Sequence, residues 1–159
     1  ETLYGCGLRV SEVLNLKLSD LFFDEGYILV TGKGDKQRFV PIAPITQKYI
    51  EIYRDQIRIH ETPKPEFKNI LFLNRRGAQL TRAMIFTLVK QHTQKAGIKK
   101  KISPHTFRHS FATHSLQNGA DLRAIQQMLG HESITTTEVY MHVDRSHLAD
   151  VLNTFHPRK

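Results

Sequence analysis

From Thr81 to Gly130 the chain is punctuated as three consecutive helices, which leaves little room for strands in its second half. Thr81 carries a side-chain oxygen suited to an N-cap, the run after it continues to Ala96, and Gly97 stands at the left-handed position that closes a helix. Ser103-Pro104 opens the next helix, because serine caps and proline brings a preset φ to a position whose N–H has no helical partner. That helix closes at Asn118-Gly119, and Asp121 caps a third that ends at Gly130. Further on, Ser133 is placed to cap a helix from Thr135 to about His142, and Asp144 precedes a last one over 146–154.

The first half reads differently. Leu8, Val10, Val13, Leu14 and Leu18 spread an apolar surface over a short helical run between Gly7 and Asp20. Two β-rich runs follow, Tyr27–Thr31 and Gln37–Ile42, joined by Gly32-Lys33-Gly34-Asp35-Lys36, which is the pattern of a hairpin with a glycine-bearing loop. Pro41 has no N–H to donate, so the second strand lies at an edge or stops there. Ile50, Tyr53 and Ile57 share one face of a helix over 45–59, which Pro63 and Pro65 end. Ile70–Leu73 is a short apolar strand. The predicted fold class is α+β: mostly helical, with a small antiparallel sheet formed by the hairpin 27–42 and the strand 70–73.

A length of 159 residues suits one domain with its own core. Hydrophobic residues make up 40% and charged residues 24%, the balance of an ordinary folded chain. Cys6 is the single cysteine, so neither an internal disulfide nor a CxxC zinc site can form. No apolar run has the length of a membrane span and no signal-peptide pattern opens the chain, so the expected compartment is the cytoplasm. Lysine and arginine total 23 against 15 acidic residues, a net charge of +8, which favours a polyanionic partner, most often nucleic acid. The chain starts at Glu1 rather than Met and almost inside a helical pattern, which reads as a fragment or processed piece of something longer.

Several side chains invite chemistry. Arg9 and Glu12 are neighbours on one helical face, and a surface ion pair is the simplest account of them. Lys33 projects from a glycine-flanked turn that lacks P-loop spacing. His105, Arg108 and His109 lie in the first turns of a helix, where free N–H groups and the dipole attract anions. The four-residue spacing of His105 and His109 also permits a metal, but position 106 is Thr rather than Glu, and Cys6 is the only thiol. His109 and His114 each also fit a hydrogen-bonded structural histidine. His131 follows the helix-closing Gly130, and Tyr140 comes later at helical spacing from Val143, where a lone tyrosine is commonly core. Taken together, these residues supply cations, proton carriers and a nucleophile, as phosphoryl transfer requires, without an acidic cluster for metal ions.

In their order, Gly7-Leu-Arg-Val-Ser-Glu12, Gly32-Lys-Gly34, His105-Thr-Phe-Arg-His109, Leu129-Gly-His131 and Tyr140 resemble the tyrosine recombinase (phage-integrase) family. Val139-Tyr-Met-His142 and His156-Pro-Arg158 look like its Xer-type members, which resolve chromosome dimers. The resemblance implies that Arg9 and Arg108 hold the non-bridging oxygens of a scissile phosphate and that His105 and His131 assist by hydrogen bonding and proton transfer. It gives Lys33 the protonation of the departing 5′ oxygen, and Tyr140 the attack that forms a 3′-phosphotyrosyl link. Glu12 matches a supporting position. The implied substrate is duplex DNA, bound as a tetramer with identical or sister recombinases, in which the helix 146–155 docks on a neighbour through Leu148, Val151, Leu152 and Phe155. Intramolecular packing of that face is the competing expectation. The implied chemistry needs no cofactor and no metal. Family members also carry an N-terminal DNA-clamp domain and an earlier start to the catalytic domain, neither of which this sequence contains. The integrase of a mobile element and a DNA-binding fragment without catalysis are the alternatives.

Overall fold

The computed structural model describes residues 1–130 and 137–158, with 137–145 described as helical backbone only. His131, Ser133 and the side chain of Tyr140 lie outside the described residues. Helices α1 (Thr2–Cys6) and α2 (Val10–Leu14) lead into a three-stranded antiparallel sheet of β1 (Leu21–Phe22), β2 (Tyr27–Thr31) and β3 (Gln37–Pro41), in that order. Helices α3 (Pro44–Ile52), α4 (Arg82–Lys95), α5 (Pro104–Gln117), α6 (Leu122–Leu129) and α7 (Thr137–Phe155) follow. The fold class is the expected α+β.

The capped helices stand where their punctuation places them. Thr81 Oγ1 accepts from the Met84 N–H, and the Asp121 carboxylate accepts from the Ala124 N–H. The hairpin pairs Tyr27 with Pro41 and Thr31 with Gln37, and in the order β1-β2-β3 the strand β3 is an edge strand with Pro41 as its last residue.

Three expectations change. The apolar run between Gly7 and Asp20 is not one helix: α2 covers only Val10–Leu14, Leu18 lies in a separate 3-10 turn, and a further helix, α1, precedes Gly7, which adopts φ 66°. A Cβ at Gly7 would stand 2.6 Å from the fully buried Phe111 ring. Gly7→Ala therefore combines a left-handed backbone with a ring overlap, and we expect a loss of roughly 2–4 kcal/mol, read as a lowered denaturation midpoint.

The third strand is Leu21–Phe22 rather than 70–73, which makes two isolated bridges, Lys17 with Ile70 and Leu73 with Gln79. The reason is local. The Arg58 guanidinium donates to the carbonyls of Lys68, Ile70 and Leu71, taking acceptors that a ladder would need.

Finally, 137–155 is one helix, not two. Between His142 and Ser146 there is no glycine or proline to break it, and a mid-helix Asp144 costs only some tenths of a kcal/mol.

Two apolar clusters hold these parts together. One packs Cys6, Leu8, Val13 and Leu16 against Ile28, Val30 and Val40 of the sheet, with Ile50 and Leu71. The other joins Phe111 of α5, Ala124, Ile125 and Met128 of α6, and Leu148, Val151 and Leu152 of α7. The apolar face of 146–155 is thus seated on its own chain. His156 just beyond it is fully buried: its Nδ1 accepts from the Arg158 N–H, and its Nε2 faces the Tyr4 carbonyl at 3.3 Å.

Candidate active site

The site is organised around one buried carboxylate. Glu12 sits at the third position of α2, only 2% exposed, and its Oε1 accepts from the Arg9 backbone N–H at 2.8 Å, closing the first turn of the helix. Arg9 and Glu12 are therefore not a surface pair: Arg9 Nη1 lies 3.9 Å from an oxygen that solvent does not reach.

Two further arginines converge there from distant parts of the chain. Arg108 arrives on α5, with its Nη1 3.8 Å from Glu12 Oε1. It also donates to the Gly7 carbonyl and the Leu129 carbonyl, each at 2.7 Å, so it fastens the turn before Arg9 to the end of α6. Arg38 arrives on β3 and forks onto both Glu12 oxygens, while its Nε donates to the Met128 carbonyl at 2.9 Å.

Burial alone would push the Glu12 carboxyl up. The Arg38 hydrogen bonds and charge, the Arg9 N–H and the Arg108 charge outweigh it and hold the carboxyl below its ordinary value. Arg108 shows the reverse pressure: burial first, then the Arg9 charge, lower it to about 10, which still leaves it cationic at neutral pH.

Lys33 follows Gly32, whose missing side chain matters because a Cβ there would lie 3.2 Å from Glu12 Oε2. The exposed Lys33 thus rides on a turn that crosses directly over the carboxylate, closed by the Gly32 N–H to the Lys36 carbonyl at 2.7 Å. His105 is exposed on the first turn of α5, with its ring edge-on to Phe86 of α4 at 6.4 Å between centroids. His109 is exposed and lies near Thr113, and His114 Nδ1 pairs with the Tyr4 hydroxyl, so these two have local partners away from Glu12. Tyr140 belongs to α7, which packs on β3, α5 and α6. Its side chain and all of His131 lie outside the described residues. The structure thus brings Arg9, Glu12, Arg108 and the Lys33 turn together.

The sequence reading missed Arg38. A signal was present: Arg38 stands opposite the fully buried Val30, on an inward face where a charge demands a partner.

Such a set of guanidiniums around a shielded carboxylate, beside a lysine on a tight turn, concentrates positive charge over one buried acid. Residues 1–147 match the model of the phage integrase family, and the chain belongs to that family. Among individual relatives, the tyrosine recombinase XerD of Staphylococcus aureus strain N315 is 48% identical over 158 residues, covering 99% of this chain and 53% of that protein. XerD of Chlorobaculum tepidum is likewise 48% identical over 158 residues, with 99% and 52% covered. The chain thus spans about half the length of these curated relatives. Among solved structures, the XerA recombinase superposes with a TM-score of 0.76 at 39% identity, covering 99% of this chain and 57% of that one. A XerH site-specific recombinase bound to its difH substrate, in a pre-cleavage complex, gives 0.71 at 33%, covering 94% and 43%.

Proposed function

We propose that this chain is the catalytic domain of a site-specific recombinase that cuts and rejoins duplex DNA through a 3′-phosphotyrosyl intermediate. The observation that carries the reading is the convergence of Arg9, at the start of α2, and Arg108, on α5, on Glu12 beneath the Lys33 turn. Two guanidiniums suit the two non-bridging oxygens of a phosphodiester and stabilise the charge that gathers there in the transition state.

Tyr140 is the nucleophile. A free phenol has a pKa near 10, and neighbouring cations favour its reactive phenolate. His105 and His131 support the phosphate and relay protons, and Lys33 gives its proton to the departing 5′ oxygen. The phosphotyrosyl ester conserves the broken bond, so a second DNA end reverses the step without an external energy source. The exposed basic surface of α4 and beyond, with Arg82, Lys90, Lys95 and Lys99–Lys101, offers contacts to the DNA backbone.

The 48% identity to XerD favours chromosome-dimer resolution over mobile-element integration. On this reading the protein works in the cytoplasm as a tetramer on DNA, with identical or sister copies. Among the described residues no helix is long and apolar enough to cross a membrane. If the helix 146–155 docks on a neighbour, Leu148, Val151 and Leu152 must first leave their seat on their own chain.

The test is a trapping assay. The protein is incubated with a duplex nicked near a candidate recombination site, denatured in detergent and searched for a covalent adduct. An adduct on Tyr140 supports the reading. Salt-sensitive binding with no adduct would make the chain a DNA-binding module instead. Within the assay, Lys33→Ala should slow cleavage by roughly 10²-fold, the scale of general acid catalysis, and leave binding almost unchanged. A 5′-bridging phosphorothiolate, whose leaving group needs no proton, should restore the rate; failure to do so removes Lys33 from that role.

A further inference from the structure

Arg38 is not among the residues to which the recombinase reading gives a chemical role, yet its guanidinium hydrogen-bonds to both oxygens of Glu12. Its two terminal nitrogens take both oxygens of Glu12, and its Nε holds the Met128 carbonyl. By contrast, Arg9 and Arg108 stand 3.9 Å and 3.8 Å from the same carboxylate, without a side-chain hydrogen bond to it. The Arg38 guanidinium is also flanked by two glycine backbones. A Cβ at Gly130, which has φ 74°, would fall 2.9 Å from Arg38 Nη1, and one at Gly32 would fall 3.5 Å from the same atom. At Gly130 a side chain would therefore collide with this group, whereas at Gly32 it would meet Glu12 first and Arg38 only in ordinary contact. Arg38 also joins the strand that follows the Lys33 turn, the helix that begins just after Arg9 and the helix end that precedes Gly130.

A buried carboxylate must be satisfied by some cation. If Arg38 did not take it, the nearest candidates would be Arg9 and Arg108, each needing to move by about 1 Å to form a direct pair. Resting on the recombinase reading above, we propose that Arg38 is a positioning residue. By saturating Glu12, it keeps the guanidiniums of Arg9 and Arg108 beyond hydrogen-bond reach of that carboxylate, with N–H groups left to grip the scissile phosphate. Both the charge and the planar fork are required, because a lysine ammonium cannot span two carboxylate oxygens and a backbone carbonyl at once.

The test is single-turnover cleavage of the nicked duplex by the full-length gene product, with enzyme in excess, for the parent, Arg38→Met and Arg38→Lys. The rate constant should fall at least about tenfold in both variants, while the reacting fraction and DNA affinity stay within about threefold of the parent. A non-bridging phosphorothioate at the scissile position should slow the parent more than either variant, because displaced guanidiniums no longer sense that oxygen. A parental rate constant with only the amplitude or thermal midpoint lowered would mean that Arg38 merely supports the fold, and would overturn the proposal. Full recovery in Arg38→Lys would overturn it too, since charge alone would then suffice. If Arg38→Met does not fold, Arg38→Lys carries the same comparison. A parent that forms no adduct at all is a different result: it removes the proposed function itself.

Discussion

Tyr140→Phe should abolish the covalent protein–DNA adduct, by at least about three orders of magnitude, while salt-dependent DNA binding stays within about twofold. The substitution removes one oxygen and keeps the ring, so it nearly conserves volume. On the proposed mechanism the loss is large because the phenol oxygen is the atom that attacks phosphorus. Detergent-resistant adduct on a nicked duplex and binding titrations at two salt concentrations separate the two readouts. Equal adduct in the variant would place the nucleophile elsewhere, and a parallel loss of binding would mean that the phenol oxygen acts in DNA recognition.

The second large effect falls on stability. Glu12→Ala leaves Arg38 and Arg108, both largely buried, around an empty position. Breaking a buried ion pair from one side typically costs about 3–5 kcal/mol, which for a domain of this size is roughly 6–20 °C in the thermal midpoint. The pH dependence has a definite sign. The carboxyl of Glu12 is held below its ordinary value near 4.5, so its stabilising contribution is fully present above that value and is lost as the pH falls through the lower folded value. The stability gap between the parent and Glu12→Gln should therefore be constant from about pH 6 to 8 and close below about pH 4.5. A gap that persists into acid would assign the effect to shape rather than charge.

The helices between Thr81 and Gly130 were legible because capping is local. Thr81 reaches Met84 and Asp121 reaches Ala124, each within one turn, so the residues that make the contact are neighbours in the sequence too. The hairpin was legible for the same reason. The close packing of Gly7, the role of Arg58 and the continuity of 137–155 were not. Gly7 reads as a helix boundary, but the Phe111 ring against it comes from far along the chain, and Arg58 captures carbonyls that in the sequence alone look available to a strand. Helix 137–155 runs through Asp144 and Ser146, two residues that resemble a cap only when the surrounding helix is unseen.

For the site, the sequence by itself determined the kinds and order of the groups. Arg9 with Glu12, Lys33 between glycines, and His105 with Arg108 on a helix start were all readable, because each sits in a short motif whose chemistry depends on near neighbours. That Glu12 is a buried hub, that Arg9 and Arg108 stand back from it, and that Arg38 holds it follow from the packing alone. Those facts depend on contacts between α2, β3, α5 and the end of α6. Burial turns a carboxylate from a solvated surface charge into one that must find partners, and burial is a property of the packed fold rather than of any stretch of sequence.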